Sequence, residues 1–216
     1  MMPIGDDNSL RKTTPIVTYI LVALNVLFFL AEMSGGEEFI KQWAFVPQRF
    51  KANPVGDIPT LFTAMFMHGG LMHLGGNMLY LWIFGDNVED LLGKGKYLAL
   101  YLFSGIAATF SQYVFFSNSD IPNLGASGAI AGVLGAYLLF FPGQRVNVIV
   151  GRSIVAMQSI IVIGFWFLLQ LFSGAGSLYS SQEESDGVAY MAHIGGFIAG
   201  LAVAFAFRVM KGKPSS

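Results

Sequence analysis

A serine, an asparagine and three histidines stand in or at the mouth of strongly apolar segments, and these residues have the types and spacing to do chemistry. His68 and His73 open the segment MHGGLMHLGGNMLYLWIFG, and Asn77 follows His73 by one helical turn. Ser127 lies in GASGAIAG and His193 in MAHIGGFIAG. Polar side chains are costly inside a bilayer and, where they occur, mark functional sites. A serine that meets a histidine there has a nucleophilic oxygen and a base to take its proton. Gly125, before the serine, lets the backbone approach a reacting carbonyl closely. A serine at a helix start also has free backbone N–H groups beside it, which stabilise an oxyanion. His73 and Asn77 share a helix face and could donate to the same oxygen. His68 falls near the helix start and would shape the site or the adjoining loop.

Other chemistries fit less well. No aspartate lies in a comparable apolar position, so a Ser127–His193 dyad is expected rather than a triad. Three histidines would suit zinc. No H-E-x-x-H is present and no carboxylate shares their apolar setting, so neither a metal nor a cofactor is expected. Cysteine is absent, which excludes disulfides and thiolate chemistry. The net charge of −1 gives no sign of a nucleic-acid partner. A transport path would need polar residues toward the inner half of the spans, where chiefly Gln158 and Gln170 are found.

The elements that must position these residues are membrane spans. Of 216 residues 54% are hydrophobic and 12% charged, against about 25% charged in soluble domains. The apolar excess is gathered into long runs, so the chain reads as an all-α polytopic membrane protein. Six spans are expected, at about 15–34, 66–85, 97–116, 127–142, 157–173 and 187–208. The first is read as an uncleaved span, since its apolar run exceeds a signal peptide's and no A-x-A site follows. The mixed segment 35–60 should lie in the interface as short amphipathic pieces. An acidic turn at Asp86–Asp90 separates the second and third spans, and 145–156 reads as an interfacial approach. The domain layout is thus a short cytoplasmic segment 1–14, a membrane domain 15–209 and a short tail 210–216. With the N-terminus inside, nine Lys and Arg fall on the inner side and three on the outer, which sets both termini in the cytoplasm by the positive-inside rule.

That topology gathers the unusual residues. The second, fourth and sixth spans all begin at the outer face, so His68, His73, Ser127 and His193 reach one membrane depth. Gly128, Ala131, Gly132 and Gly135 form one small-residue stripe, and Gly196, Gly200 and Ala204 form another below His193. Two such stripes let helices pack closely, which would bring Ser127 to His193. Each residue alone has a structural explanation: a packing glycine, a serine bonded to a backbone carbonyl, an anchoring histidine, an asparagine between helices. All of them at one depth is much harder to explain that way.

Together these residues resemble the rhomboid family of intramembrane serine proteases. The matching stretches are His68-Gly-Gly-Leu-Met-His73-Leu-Gly-Gly-Asn77, Gly125-Ala-Ser127-Gly128 and Ala192-His193-Ile-Gly-Gly196-Phe-Ile-Ala-Gly200. They occur in the family's order on its second, fourth and sixth spans, and the resemblance covers about residues 15–209. It implies a six-helix bundle with a water-filled cavity opening outward. It implies Ser127 as nucleophile and His193 as base, with His73, Asn77 and the Ser127 N–H as oxyanion hole and Gly125 and Gly128 beside them. It implies a membrane-embedded loop at 35–60, a lateral gate at the fifth span with Phe165, Trp166 and Phe167, and a cap around 180–188. Substrates would be single-pass membrane proteins in the lipid bilayer, and the minimal form implies a bacterial inner membrane. An inactive relative that binds membrane clients is the alternative. Two departures stand out. Pro59-Thr60 replaces a Trp-Arg pair that anchors the first loop in many relatives. Ala131 replaces an aromatic that stacks on the catalytic histidine in some, leaving the orientation of His193 to Tyr190 or to packing alone.

Overall fold

A chain segment in lipid has no water to bond its backbone, so it must bond itself, and helices do this within one segment. In a computed structural model, which describes residues 2–9, 11–180 and 188–211, six long helices carry the apolar runs. They are α1 (Ile16–Trp43), α5 (Leu71–Leu92), α6 (Lys94–Phe115), α7 (Ser127–Phe140), α8 (Ser159–Ser180) and α9 (Tyr190–Met210). Of these, α1, α6, α8 and α9 are long and apolar enough to cross a membrane. The 14 residues of α7 give about 21 Å at 1.5 Å per residue. This helix is short but almost wholly buried in the centre of the bundle. The apolar side chains of α1 and α8 instead face outward, among them Leu27, Leu30, Phe165, Leu168 and Phe172, as helices bathed in lipid require.

The tightest contact joins α7 to α9, with α6 against both. A Cβ placed on Gly196 would land on the carbonyl oxygen of Gly128, and one on Gly200 on that of Gly132. On Gly132 it would strike Ser104 of α6. The two small-residue stripes do meet, and backbone lies on backbone.

The segment 35–60 is largely helical. Gly36 breaks the helical path of α1, and α2 (Pro47–Ala52), α3 (Pro54–Asp57) and α4 (Thr60–Thr63) follow, then a 3-10 turn Ala64–Phe66. The loop is anchored without a Trp-Arg pair. Arg49 donates through Nε to both carboxylate oxygens of Asp57 at 2.8 Å. It also donates to the carbonyls of Ala44, at 2.6 Å, and Lys41. Phe45 and Phe50 pack with Tyr113 of α6. Phe45 also exchanges backbone hydrogen bonds with Asn123.

One expectation is corrected here. The acidic residues 86–90 form no turn but lie within α5. They stay helical because residues 11–18, ahead of and at the start of α1, satisfy them. Glu89 accepts from the Val17 and Thr18 N–H groups at 2.9 and 2.8 Å. It thus caps the start of α1, where amides lack helical partners and negative charge is favoured. Asp90 accepts from the backbone of Lys12 and Thr13, and Arg11 pairs with Asp86 at 2.7 Å.

Residues 145–156, read as an interfacial approach, form a hairpin, β2 (Arg145–Val150) and β3 (Ser153–Gln158). Its two-residue turn places Gly151 at φ 62°, the left-handed region such turns demand. The N-terminal residues pair antiparallel with β2 as β1 (Met2–Asp6), giving a three-stranded sheet in the order β1-β2-β3. Asp6 fastens this sheet to the bundle, accepting from the Tyr137 hydroxyl and from Asn87 Nδ2, each at 2.6 Å. The sheet lies at the end of α7 away from Ser127. The acidic connection before α9 and most of the tail 210–216 fall outside the described residues.

Candidate active site

Each site residue sits within the first turns of a helix. His73 and Asn77 are the third and seventh residues of α5, Ser127 is the first of α7, and His193 is the fourth of α9. The close approach of α7 and α9 brings their starts together, and Ser127 Oγ lies 2.7 Å from His193 Nε2. This is a strong hydrogen bond by length. As the first residue of α7, Ser127 and its two successors carry amides with no intrahelical acceptor.

His73 and Asn77 join the pair around one cavity of about 900 Å³, which Ser127 and His193 also line. A second cavity of about 260 Å³ starts from the same four side chains and runs past Tyr80 of α5, Ile130 and Leu134 of α7 and Trp166 of α8. The site therefore has a roomy mouth bounded by the loop 121–124 and a side arm between α5 and α8. Asn77 Nδ2 is buried with no partner among the described residues. A donor left open in this way is expensive unless a ligand or water uses it.

Gly125 brings its backbone against His73. Its φ is 135°, and a Cβ there would stand 3.0 Å from His73 Cε1 and 3.6 Å from Ser127 Oγ. A side chain would be strained in backbone and crowded in space. Gly128 belongs to the helix packing, since its Cβ would strike Ala108 of α6. His68 is almost fully buried and lines neither large cavity. Its ring meets that of His73 edge-on at 5.1 Å, so it backs His73 rather than reaching Ser127.

Sequence reasoning misses or misplaces three residues. Gln170 does not serve the far half of a span: its Oε1 lies 2.8 Å from His193 Nδ1. Helix α8 runs on to Ser180, beyond the expected 173, which sets Gln170 mid-helix at the depth of the site. Trp166, one turn earlier, places its ring 5.8 Å from the imidazole. The orientation of His193 thus comes from α8 and not from the Ala131 position. Glu32 of α1 corrects the reading that no carboxylate shares the apolar setting. It is buried and accepts the His68 N–H at 2.9 Å, pinning the loop that leads into α5. Among the described residues, no group of three His, Cys, Asp or Glu side chains could hold a metal ion.

Comparison with known proteins agrees with this geometry. The chain is 34% identical over 201 residues to the Rhomboid protease GluP of Bacillus subtilis (strain 168), covering 91% of this chain and 36% of that protein. It is 30% identical over 147 residues to the mitochondrial Presenilin-associated rhomboid-like protein A of Danio rerio, 62% of this chain and 38% of the relative. It is also 30% identical over 141 residues to the mitochondrial Rhomboid protein 1 of Saccharomyces cerevisiae, 62% of this chain and 40% of the relative. The chain spans less than half the length of these relatives. The family model of the Rhomboid domain matches residues 56–209, which hold His68, His73, Asn77, Ser127 and His193. With that match added to the helical membrane fold, the chain belongs to the rhomboid family.

Proposed function

We propose that the protein is an intramembrane serine endopeptidase that cleaves transmembrane segments of membrane proteins through a Ser127–His193 dyad. The observation that carries this reading is the 2.7 Å contact between Ser127 Oγ and His193 Nε2 inside a cavity. Neutral imidazole takes the serine proton as Oγ attacks the scissile carbonyl carbon. Negative charge gathers on the carbonyl oxygen, where Asn77, His73 and the Ser127 N–H donate to it. The imidazolium then gives its proton to the leaving amine, and an acyl-enzyme remains. Water from the larger cavity attacks that ester with His193 again as base, and Ser127 is released.

A peptide in a transmembrane helix has its carbonyls bonded and shielded, so it must unwind before attack. Single-pass segments with helix-weakening residues near the cleavage site are therefore the substrates of this reading. The side arm between α5 and α8 gives them a lateral path from the bilayer. The domain 15–209 carries the whole site. The excess of Lys and Arg on the side bearing the sheet supports an orientation with that side in the cytoplasm and the site opening outward. A bacterial plasma membrane is the proposed host.

A fluorophosphonate probe tests this reading. Wild-type protein should be labelled on Ser127, and Ser127→Ala and His193→Ala should lose the label. Ser127→Ala should also abolish cleavage of a model transmembrane substrate while the purified protein keeps its thermal midpoint. Cleavage by Ser127→Ala equal to wild type would overturn the proposal.

A further inference from the structure

The bonds around His193 follow one another from α7 to α8. For Ser127 Oγ–H to donate to Nε2, that nitrogen must be unprotonated. The single proton of a neutral imidazole is then on Nδ1, which faces Gln170 Oε1 at 2.8 Å. The amide's orientation follows from its other end, since Nε2 of Gln170 faces the Trp166 carbonyl at 3.4 Å. An oxygen turned to that carbonyl would bond nothing, and a nitrogen turned to His193 would leave Nδ1–H without an acceptor. Gln170 is buried, and an amide held in an apolar helix is costly unless both ends are used.

Trp166 and Gln170 are four residues apart, so they share one face of α8. Together they bear on one edge and one face of the imidazole. The rest of α8 leans on α9, where Phe167 stacks on Phe197 at 4.1 Å. Between α5 and α8 there is instead a gap of about 70 Å³, lined by Tyr80, Phe84, Ile163 and Phe165 among others.

We propose that Gln170 is the positioning residue of His193, holding the Nδ1–H tautomer, and that its place on α8 makes catalysis conditional on α8 lying against α9. The proposal rests on the peptidase reading above for its functional meaning. Displacing α8 strips the imidazole of its acceptor and of Trp166 in one movement. A substrate that parts α5 from α8 must then leave the 166–170 turn seated on His193, or let it return, before the serine can be activated.

The test compares wild type with Gln170→Leu, which keeps bulk and loses the acceptor, and Gln170→Glu, which keeps an oxygen at the same reach. Two readouts are used: kcat and KM on a transmembrane substrate, and nitrogen-15 spectra of histidine-labelled protein, with His193→Ala assigning the His193 signals. In Gln170→Leu, kcat should fall by about 10²-fold, the low end of what a positioned general base supplies. KM should stay within about twofold, the thermal midpoint should hold, and the His193 nitrogens should report mixed tautomers. Gln170→Glu should recover most of kcat. A Gln170→Leu protein with wild-type kcat, or with His193 still wholly in the Nδ1–H form, would overturn the proposal. If wild type itself cleaves nothing, the peptidase reading fails, while the tautomer spectra still decide whether Gln170 positions His193.

Discussion

At the scale of single residues, the site rests on donors with nothing else to do. Asn77 Nδ2 is buried and unpartnered among the described residues, and it lines both cavities that meet at Ser127. In the proposed reaction it is used when the oxyanion forms. Asn77→Ala should therefore lower kcat by about 10²–10³-fold, the usual loss for one such donor, with little change in KM and no loss of folded protein. A fall in KM-controlled binding alone, with kcat intact, would contradict that role. The site residues are legible in the sequence because burying them needs a reason: a serine, an asparagine and histidines stand out against apolar spans. Gln170 stands out equally, but its depth does not. Periodicity places a side chain on a face, whereas depth depends on where the helix starts and stops, and α8 continues seven residues past the end expected from hydropathy. Glu32 is inconspicuous because it follows the apolar run of α1, and only the return of the chain at His68 shows it to be interior.

At the scale of elements, the meeting of α7 and α9 sets the distance between Ser127 and His193, and glycine sets that meeting. The atoms nearest a Cβ on Gly200 are all Gly132 backbone, so relief requires the helices to part. Gly200→Val should cost about 1–3 kcal/mol in the manner of an overpacked core. It should also slow fluorophosphonate labelling of Ser127. Gly164→Ala, where a Cβ meets nothing within 4 Å, should leave the thermal midpoint unchanged or raise it slightly, as alanine does in helix interiors. A midpoint for Gly200→Val at or above wild type would refute the packing argument. The small-residue stripes are readable in sequence because their spacing follows the helical repeat. The sheet is not. β2 and β3 alternate only weakly and sit between long apolar runs, and β1 has no meaning until its partner, more than 130 residues away, is known. The acidic residues 86–90 look like a turn for the same reason, since the groups that satisfy them come from residues 11–18.

At the scale of the whole molecule, the far end of the bundle is tied by Asp6. Burial lifts its carboxyl from 3.8 to about 6, although hydrogen bonds from Tyr137 and Asn87 pull the other way and nearby Asp86 adds to the rise. Arg11 is occupied with Asp86. A raised acid favours the folded state in its protonated form. Its contribution is full below the unfolded value and fades as pH climbs through about 6. Backbone amides of Ile4, Gly5 and Asp6 should therefore exchange more slowly at about pH 5 than at about pH 8, once intrinsic exchange is allowed for. Asp6→Asn should flatten that difference, and a difference that survives the substitution would assign it elsewhere. The same sheet also has a bearing on the order of assembly. Its first strand is synthesised more than 130 residues before its second. Until then β1 has no edge to join, and Asp6 waits for Tyr137 as well. The helices ahead of β2 must be threaded into the bilayer with this stretch loose. Docking of β1 onto β2 is therefore a late event in biogenesis.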